Sequence, residues 1–282
     1  MTHTLRSPYA IGVMCVVVAA VTYSTAGVFT KGVAAGAWAV IFWRGVFAAG
    51  FTTAWTINNG VFRENYFGIG NSGWAVAIIG ASGTAAFIPA FKLTSIANVS
   101  LIYAVAPLTA ALLAWSFIGE RITTRTALGC FGALLGVAVI VSGSLGEISL
   151  FGDMLALWMT IAMASIMVIY RKYPKTPGAG PTALQSILLL PISFALGEPF
   201  SVDPLEISIL AAFGLLFAIA SVTLAEGSKR LPSGQTALLS TLETPLAPLL
   251  AFALFAEFPN TATWVGGSVV LGAVLYSIRD DT

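Results

Sequence analysis

The sequence predicts an all-α integral membrane protein, with ten transmembrane helices arranged as two inverted-topology five-helix repeats. Three observations lead to that class. Charged residues make up only 9% of the 282-residue chain, 57% is hydrophobic and the mean hydropathy is +0.91, whereas soluble domains carry about 25% charge. Apolar stretches of about 20 residues, the length that crosses about 30 Å of hydrocarbon, recur along the whole chain, separated by short Gly, Pro or charged punctuation. The second half of the chain also matches the first in register.

The expected spans cover residues 9–30, 36–57, 73–92, 97–118, 123–143, 149–171, 181–197, 204–226, 233–256 and 260–278. They are too long for strands and too numerous for one soluble core, and a helix satisfies its own backbone hydrogen bonds in lipid. Pro191 and Gln185 interrupt the seventh. The first stretch follows Arg6 and ends in Ser24, Thr25 and Ala26, which imitates a secretory signal. It has a counterpart in the second half, so it is expected to remain part of the fold. Cys15 and Cys130 fall inside spans, pointing to buried thiols rather than a disulfide framework. The net charge of +1 suggests neither a nucleic-acid nor an acidic partner.

With ten spans, one side holds the termini and the even-numbered loops, carrying Arg6, Arg63, Arg121, Arg125, Arg171, Lys172, Lys175, Lys229, Arg230 and Arg279. The other side holds Lys31 and Lys92, and Arg44 lies within the second span. Basic loops stay in the cytoplasm, so both termini are expected there, in the cell inner membrane. At an offset of 137, Lys92 pairs with Lys229, Leu101 with Leu238, Ala114 with Ala251, Glu120 with Glu257 and Gly129 with Gly266. At an offset of 140, Gly12 pairs with Gly152, Thr25 with Ser165 and Lys31 with Arg171. The repeats are expected over residues 1–145 and 146–282. An odd number of helices per repeat turns the second copy upside down, a device that places a substrate site near the membrane midplane.

The run from Pro107 to Gly136, PLTAALLAWSFIGERITTRTALGCFGALLG, has a proline in helix four, Gly119-Glu120 at its end, and Gly129 and Gly136 along helix five. It resembles the EamA-type pattern of the drug/metabolite transporter superfamily. The second copy, from Glu243 to Gly272, departs from it: Ala256 precedes Glu257, Thr244 stands at the proline register and Pro245 is displaced by one. The resemblance spans both halves. It implies a secondary transporter exporting small metabolites, amino acids foremost, with YddG-like aromatic amino-acid exporters as one neighbourhood.

Glu243 falls about ten residues into helix nine, near the bilayer centre, where a charge costs about 2.5 to 3.5 kcal/mol. It is expected either to bind substrate or a proton, or to form a structural link, for instance to Arg44. Arg44 reads as structural, hydrogen-bonding carbonyls or snorkelling; its planar donor fork also suits a carboxylate. Pro107, Pro245 and Pro248 each remove a backbone hydrogen bond within a span and mark a kink, as a hinge or as packing. Tyr23, Ser24, Thr25, Thr84, Phe87, Ser100, Tyr103, Trp158, Ser165, Ser221 and Ser240 are candidates to line a cavity, aromatic faces for stacking and hydroxyls for a zwitterion. Ordinary helix packing competes for each. Trp38, Trp55 and Trp74 read as interfacial anchors. Gly129, Gly132 and Gly136, with Ser268 and Gly272 in helix ten, favour close helix packing, within the chain or between copies, so monomer and homodimer both stay open. Lys92 with Glu257, and Lys229 with Glu120, are placed by the repeat on opposite faces as possible gate pairs; snorkelling at helix ends competes.

His3 is the one histidine and lies outside every span, so His-based zinc or serine-histidine chemistry has no basis, and no metal, cofactor or enzymatic activity is expected. A channel or a non-transporting receptor are the competing classes. The expected partners are a small-molecule substrate and the lipid bilayer. Reporter fusions at both termini should score cytoplasmic; labelling of either terminus by a membrane-impermeant reagent in intact cells would reverse the orientation.

Overall fold

Hydroxyl side chains and prolines set where several helices begin. The computed structural model describes residues 7–26, 29, 33–93, 96–142, 149–255 and 261–278. Helix α1, Pro8–Ser24, starts on Ser7, whose Oγ accepts from the Ala10 amide at 3.1 Å, with Pro8 supplying a fixed φ at the first helical position. It is followed by α2, Ala37–Asn58, and α3, Gly70–Leu93. Helix α4 has two pieces, α4a over Ile96–Tyr103 and α4b over Ala106–Ile118; α4b ends at Gly119 with φ +69°, a left-handed cap that suits a residue without Cβ. Helix α5, Thr124–Val141, is capped by Thr123, and α6, Leu150–Lys172, by Ser149, with Arg171 and Lys172 in its last turn where the helix dipole favours cations. Then come α7, Ala179–Leu196, α8, Pro204–Ser228, α9a, Ser233–Ser240, α9b, Glu243–Phe255, and α10, Thr261–Ile278.

Among the described residues there is no strand, eight helical stretches are long and apolar enough to cross a membrane, one of them running through α4a and α4b over Val99–Ile118, and α1 is a shorter apolar helix. The expected boundaries of α2 to α10 lie within three residues of these helices. Two expected spans are not continuous, however. Ahead of the prolines expected to kink helices four and nine, each helix is interrupted over two residues, Ala104 and Val105 in one and Thr241 and Leu242 in the other. Pro107 has no N–H to return to Tyr103, and the chain tightens ahead of it, with the Val105 amide bonding Ile102 O at 3.1 Å. In the second half Pro245 does the same to Thr241, and the amides of Thr241, Leu242 and Thr244 each bond the carbonyl three residues back. The bounds of α4a and α4b, advanced by 137, are those of α9a and α9b. The one-residue displacement of Pro245 therefore leaves the break at the same register.

Helix α5 lies along α10, α2 along α7 and α8, α3 along α6 and α7, and α1 along α8, while α4b packs against α6 and α9a. Alanines and glycines fill these contacts, and large apolar side chains such as Met14, Ile78, Leu112, Phe131 and Leu275 are exposed on the outside. That distribution suits lipid, which solvates bulky hydrocarbon and leaves close backbone packing to hold the helices together. At the α5–α10 contact a Cβ on Gly136 would lie 2.7 Å from Gly266 O, and one on Gly266 would lie 2.3 Å from Gly136 O. Gly129 and Gly132 face Ala273 on the same helix. The glycines of helix five thus serve a contact within the chain. The expected partner spacing on α10 differs: its contact face is Gly266, Val270, Ala273 and Ser277, and Gly272 faces nothing within 4 Å. Ser268 is two residues from Gly266, on the far side of a helix with 3.6 residues per turn.

Three smaller expectations are settled by the same packing. Cys130 is buried and Cys15 half-buried, both free. Trp55 and Trp74 are 51% and 45% exposed. Trp38 instead packs against the cluster around Val40, Leu189 and Leu210. Replacing Gly266 by Leu should cost about 1 to 3 kcal/mol, because the clash is with backbone, which cannot rotate away. Gly272→Leu should be nearly neutral. Thermal unfolding of the two purified variants checks the difference.

Candidate substrate-binding site

The two helix breaks deliver side chains to the middle of the bundle. Tyr103 ends α4a, Glu243 begins α9b, and the Tyr103 hydroxyl meets the Glu243 carboxyl in a side-chain hydrogen bond. Both residues are half-buried. Glu243 also occupies the first turn of α9b, where free amides favour a negative group. Tyr23 from α1 stands beside them: its hydroxyl shares a 2.8 Å hydrogen bond with Ser221 of α8, and its ring edge meets Phe217 at 6.1 Å between centroids. Tyr23 lies within electrostatic reach of Tyr103, Glu243 and Arg44 together.

Arg44 is 5% exposed on α2, with its guanidinium carbon 4.2 Å from the Phe217 ring centroid and 5.5 Å from that of Phe213. Neither expected structural role is found. Among the described residues it makes no hydrogen bond to a carbonyl and no ion pair with a carboxylate, and Glu243 turns to Tyr103 instead. Phe213 and Phe217 escaped the sequence reading. Their signal was available, since Phe213, Phe217 and Ser221 recur every fourth residue and share one face of α8.

The other predicted cavity residues divide. Phe87 of α3 and Tyr103 border one apolar cluster with Ala86, Val99 and Met159. Thr25, Ser165 and Ser240 give their hydroxyl protons to carbonyls of their own helices, at 2.6, 2.7 and 3.0 Å, and Ser24 does likewise. Thr84 and Ser100 are half-buried. Trp158 does not join the cluster; it is 47% exposed on the stripe of α6 that includes Phe151 and Met154, the outward face. A cavity of about 710 Å³ opens elsewhere, between Gly36 and Trp38 at the start of α2, Pro89 and Leu93 at the end of α3, and Gly197 and Glu198 after α7. No predicted site residue lines it, and it sits at the helix ends rather than at the breaks.

The gate pairs are revised. Lys92 has its side chain outside the described residues, as does Pro248, and Glu257 lies outside them altogether. On the opposite end, Lys229 is not paired with Glu120; it bonds Glu226, one turn back on its own helix. Arg230 joins the same carboxylate at 2.6 Å. Glu120 instead accepts from Arg171 Nε at 3.0 Å and from the Ser233 amide at 3.0 Å. That carboxylate ties the end of α4b to the end of α6 and to the start of α9a, where a free helix amide accepts an anion better than a distant lysine can.

Comparison with known proteins agrees with this architecture. A solved crystal structure superposes with a TM-score of 0.83 over 95% of this chain and 98% of the other at 18% identity, which shows the fold. Residues 10–142 match the EamA-like transporter family. This segment is an EamA-like transporter domain. It runs from α1 to the end of α5. The chain is 27% identical to the probable terminal-alkyne amino-acid exporter of Streptantibioticus cattleyicolor, over 71% of each protein. It is also 27% identical to the riboflavin transporter of Brucella anthropi, over 86% of this chain and 88% of that one. The uncharacterized transporter YyaM of Bacillus subtilis is 26% identical over 71% of this chain. The EamA-like domain contributes Tyr23, Arg44 and Tyr103, while Ser221 and Glu243 come from beyond it.

A double-mutant cycle on unfolding should give a coupling of up to about 1 kcal/mol for Glu120→Gln with Arg171→Gln, and none for Glu120→Gln with Lys229→Gln.

Proposed function

We propose that this membrane protein is a secondary transporter that exports small metabolites, amino acids among them, by alternating access to the site between Tyr103 and Glu243. The observation that carries the reading is the pair of helix breaks at matching register, Tyr103 to Ala106 and Ser240 to Glu243. Interrupted helices are tolerated at membrane depth where they are enclosed by protein or line a wet cavity, and transporters place their substrate sites at such interruptions.

Counting the broken pairs once each gives ten crossings in two inverted repeats, over residues 1–145 and 146–282. Helix packing supports this. Exchanging α1 with α6, α2 with α7, α3 with α8, α4 with α9 and α5 with α10 turns the α1–α8 contact into α6–α3, and α2–α8 into α7–α3. The α2–α7 and α5–α10 contacts map onto themselves. The basic asymmetry supports cytoplasmic termini in the inner membrane. Amino-acid export draws on the printed function of the S. cattleyicolor relative and on the mix of aromatic, hydroxyl, cationic and carboxyl groups in the cluster.

Purified protein in liposomes should give saturable counterflow of labelled amino acids, and Glu243→Gln should slow it at least about tenfold while the protein keeps its fold. Absence of saturable flux for every labelled amino acid, and for riboflavin, would remove the transporter reading.

A further inference from the structure

A buried guanidinium is expected to have a counter-charge, and Arg44 has none among the described residues. Its Nε–H is buried without an acceptor. Two aromatic faces do attract it, but a cation–π contact recovers only part of the cost of withdrawing an unpaired charge from water. The arrangement is nonetheless rigid. Gly214 lets α8 approach α2 so closely that a Cβ there would stand 2.8 Å from Arg44 O, and Phe213 and Phe217, on either side of that glycine in sequence, hold the guanidinium. A side chain held this firmly, without an anion, is poised for an anion that arrives with a ligand.

The neighbouring groups indicate which anion. One turn along the same face of α8 from Phe217 is Ser221, hydrogen-bonded to Tyr23, so two hydroxyls stand beside the cation. A planar carboxylate matches the guanidinium fork and takes further hydrogen bonds from hydroxyls. Tyr103 and the Glu243 carboxyl, which suit an ammonium, also lie within electrostatic reach of Tyr23. Arg44 and Glu243 both lie within reach of Tyr23 but form no ion pair with each other, leaving opposite charges for opposite ends of one small molecule.

We propose that Arg44, with the Tyr23–Ser221 hydroxyl pair, is a carboxylate subsite, and that the substrate class is a zwitterion whose ammonium faces Glu243 and Tyr103. This deepens, and rests on, the transporter reading of the same site.

The test uses the full-length protein in detergent and measures thermal stabilisation by phenylalanine and leucine, by their amides and by the amines lacking the carboxyl group. The acids should bind at least about tenfold more tightly than the amides or amines. Equal stabilisation by acid and amide, or none by either acid, overturns the subsite without depending on any variant. Arg44→Gln should abolish the acid-over-amide preference; a variant that keeps the wild-type preference overturns the assignment. Should Arg44→Gln not fold, Tyr23→Phe combined with Ser221→Ala must lower the preference, and an unchanged ratio there counts equally against it. Liposome flux separates the two ideas: acid-selective binding with no flux of any solute defeats the transporter reading alone, whereas flux without acid selectivity defeats the subsite alone.

Discussion

A hydrocarbon solvent supplies no hydrogen bonds, so a backbone carbonyl released inside the bilayer has to be enclosed by protein or reached by water. Pro107 and Pro245 release such carbonyls by lacking the N–H that would cap Tyr103 and Thr241. The rest of the structure is arranged around that constraint. Short turns of three-residue hydrogen bonds absorb part of the loss, and surrounding helices close over the two breaks. The side chains flanking the breaks, Tyr103 and Glu243, are polar and meet one another. An apolar sequence thereby acquires a polar centre, and the polar centre is where a solute can be held.

Enclosing that centre requires helices that come close without the hydrophobic effect to drive them. Small residues provide the approach. Gly136 and Gly266 bring α5 and α10 into backbone contact, while Gly214 brings α8 onto α2 beside Arg44. The first contact joins two helices of the scaffold and the second forms a wall of the polar cluster. The same physical device therefore builds scaffold in one place and fixes a guanidinium in the other.

The charged residues outside the centre tie helix ends together. Glu120 joins three elements through Arg171 and the Ser233 amide, and Lys172 adds a bond to Phe117 O at the end of α4b. These contacts gather α4b, α6 and α9a at the end of the molecule where α1 begins and α10 ends, since Gln235 of α9a bonds the Tyr9 hydroxyl and Ser277 O. Glu226 collects Lys229 and Arg230 nearby on α8. Each exposed pair is worth only about 0 to 1 kcal/mol, so such ties hold an end together without preventing it from opening.

How much was legible depends on the range of the physics. Span positions follow from local composition, because the length needed to cross hydrocarbon is fixed and a helix satisfies itself; the boundaries of α2 to α10 were therefore close. Proline effects are local too, and the positions of Pro107 and Pro245 gave both interruptions, though whether each would bend or break its helix depended on how the neighbouring turn could tighten. The 137-residue register anticipated that α4 and α9 would be interrupted alike. Pairings between distant side chains were not legible. Lys229 and Glu120 share a side by topology, yet which carboxylate a lysine meets depends on helix rotation, and rotation placed Glu226 within its reach and Arg171 beside Glu120. The same rotation turned Trp158 outward, set Ser268 and Gly272 away from α5, and laid Phe213 and Phe217 over Arg44. The sequence by itself determined that the chain lives in the membrane, where it crosses and where it breaks, because those depend on solvent and on residues a few positions apart. Only the tertiary structure decided which faces meet, because a helix buried all round by lipid or protein carries little one-sided hydrophobic pattern to fix its rotation, and small residues allow close packing without naming the partner.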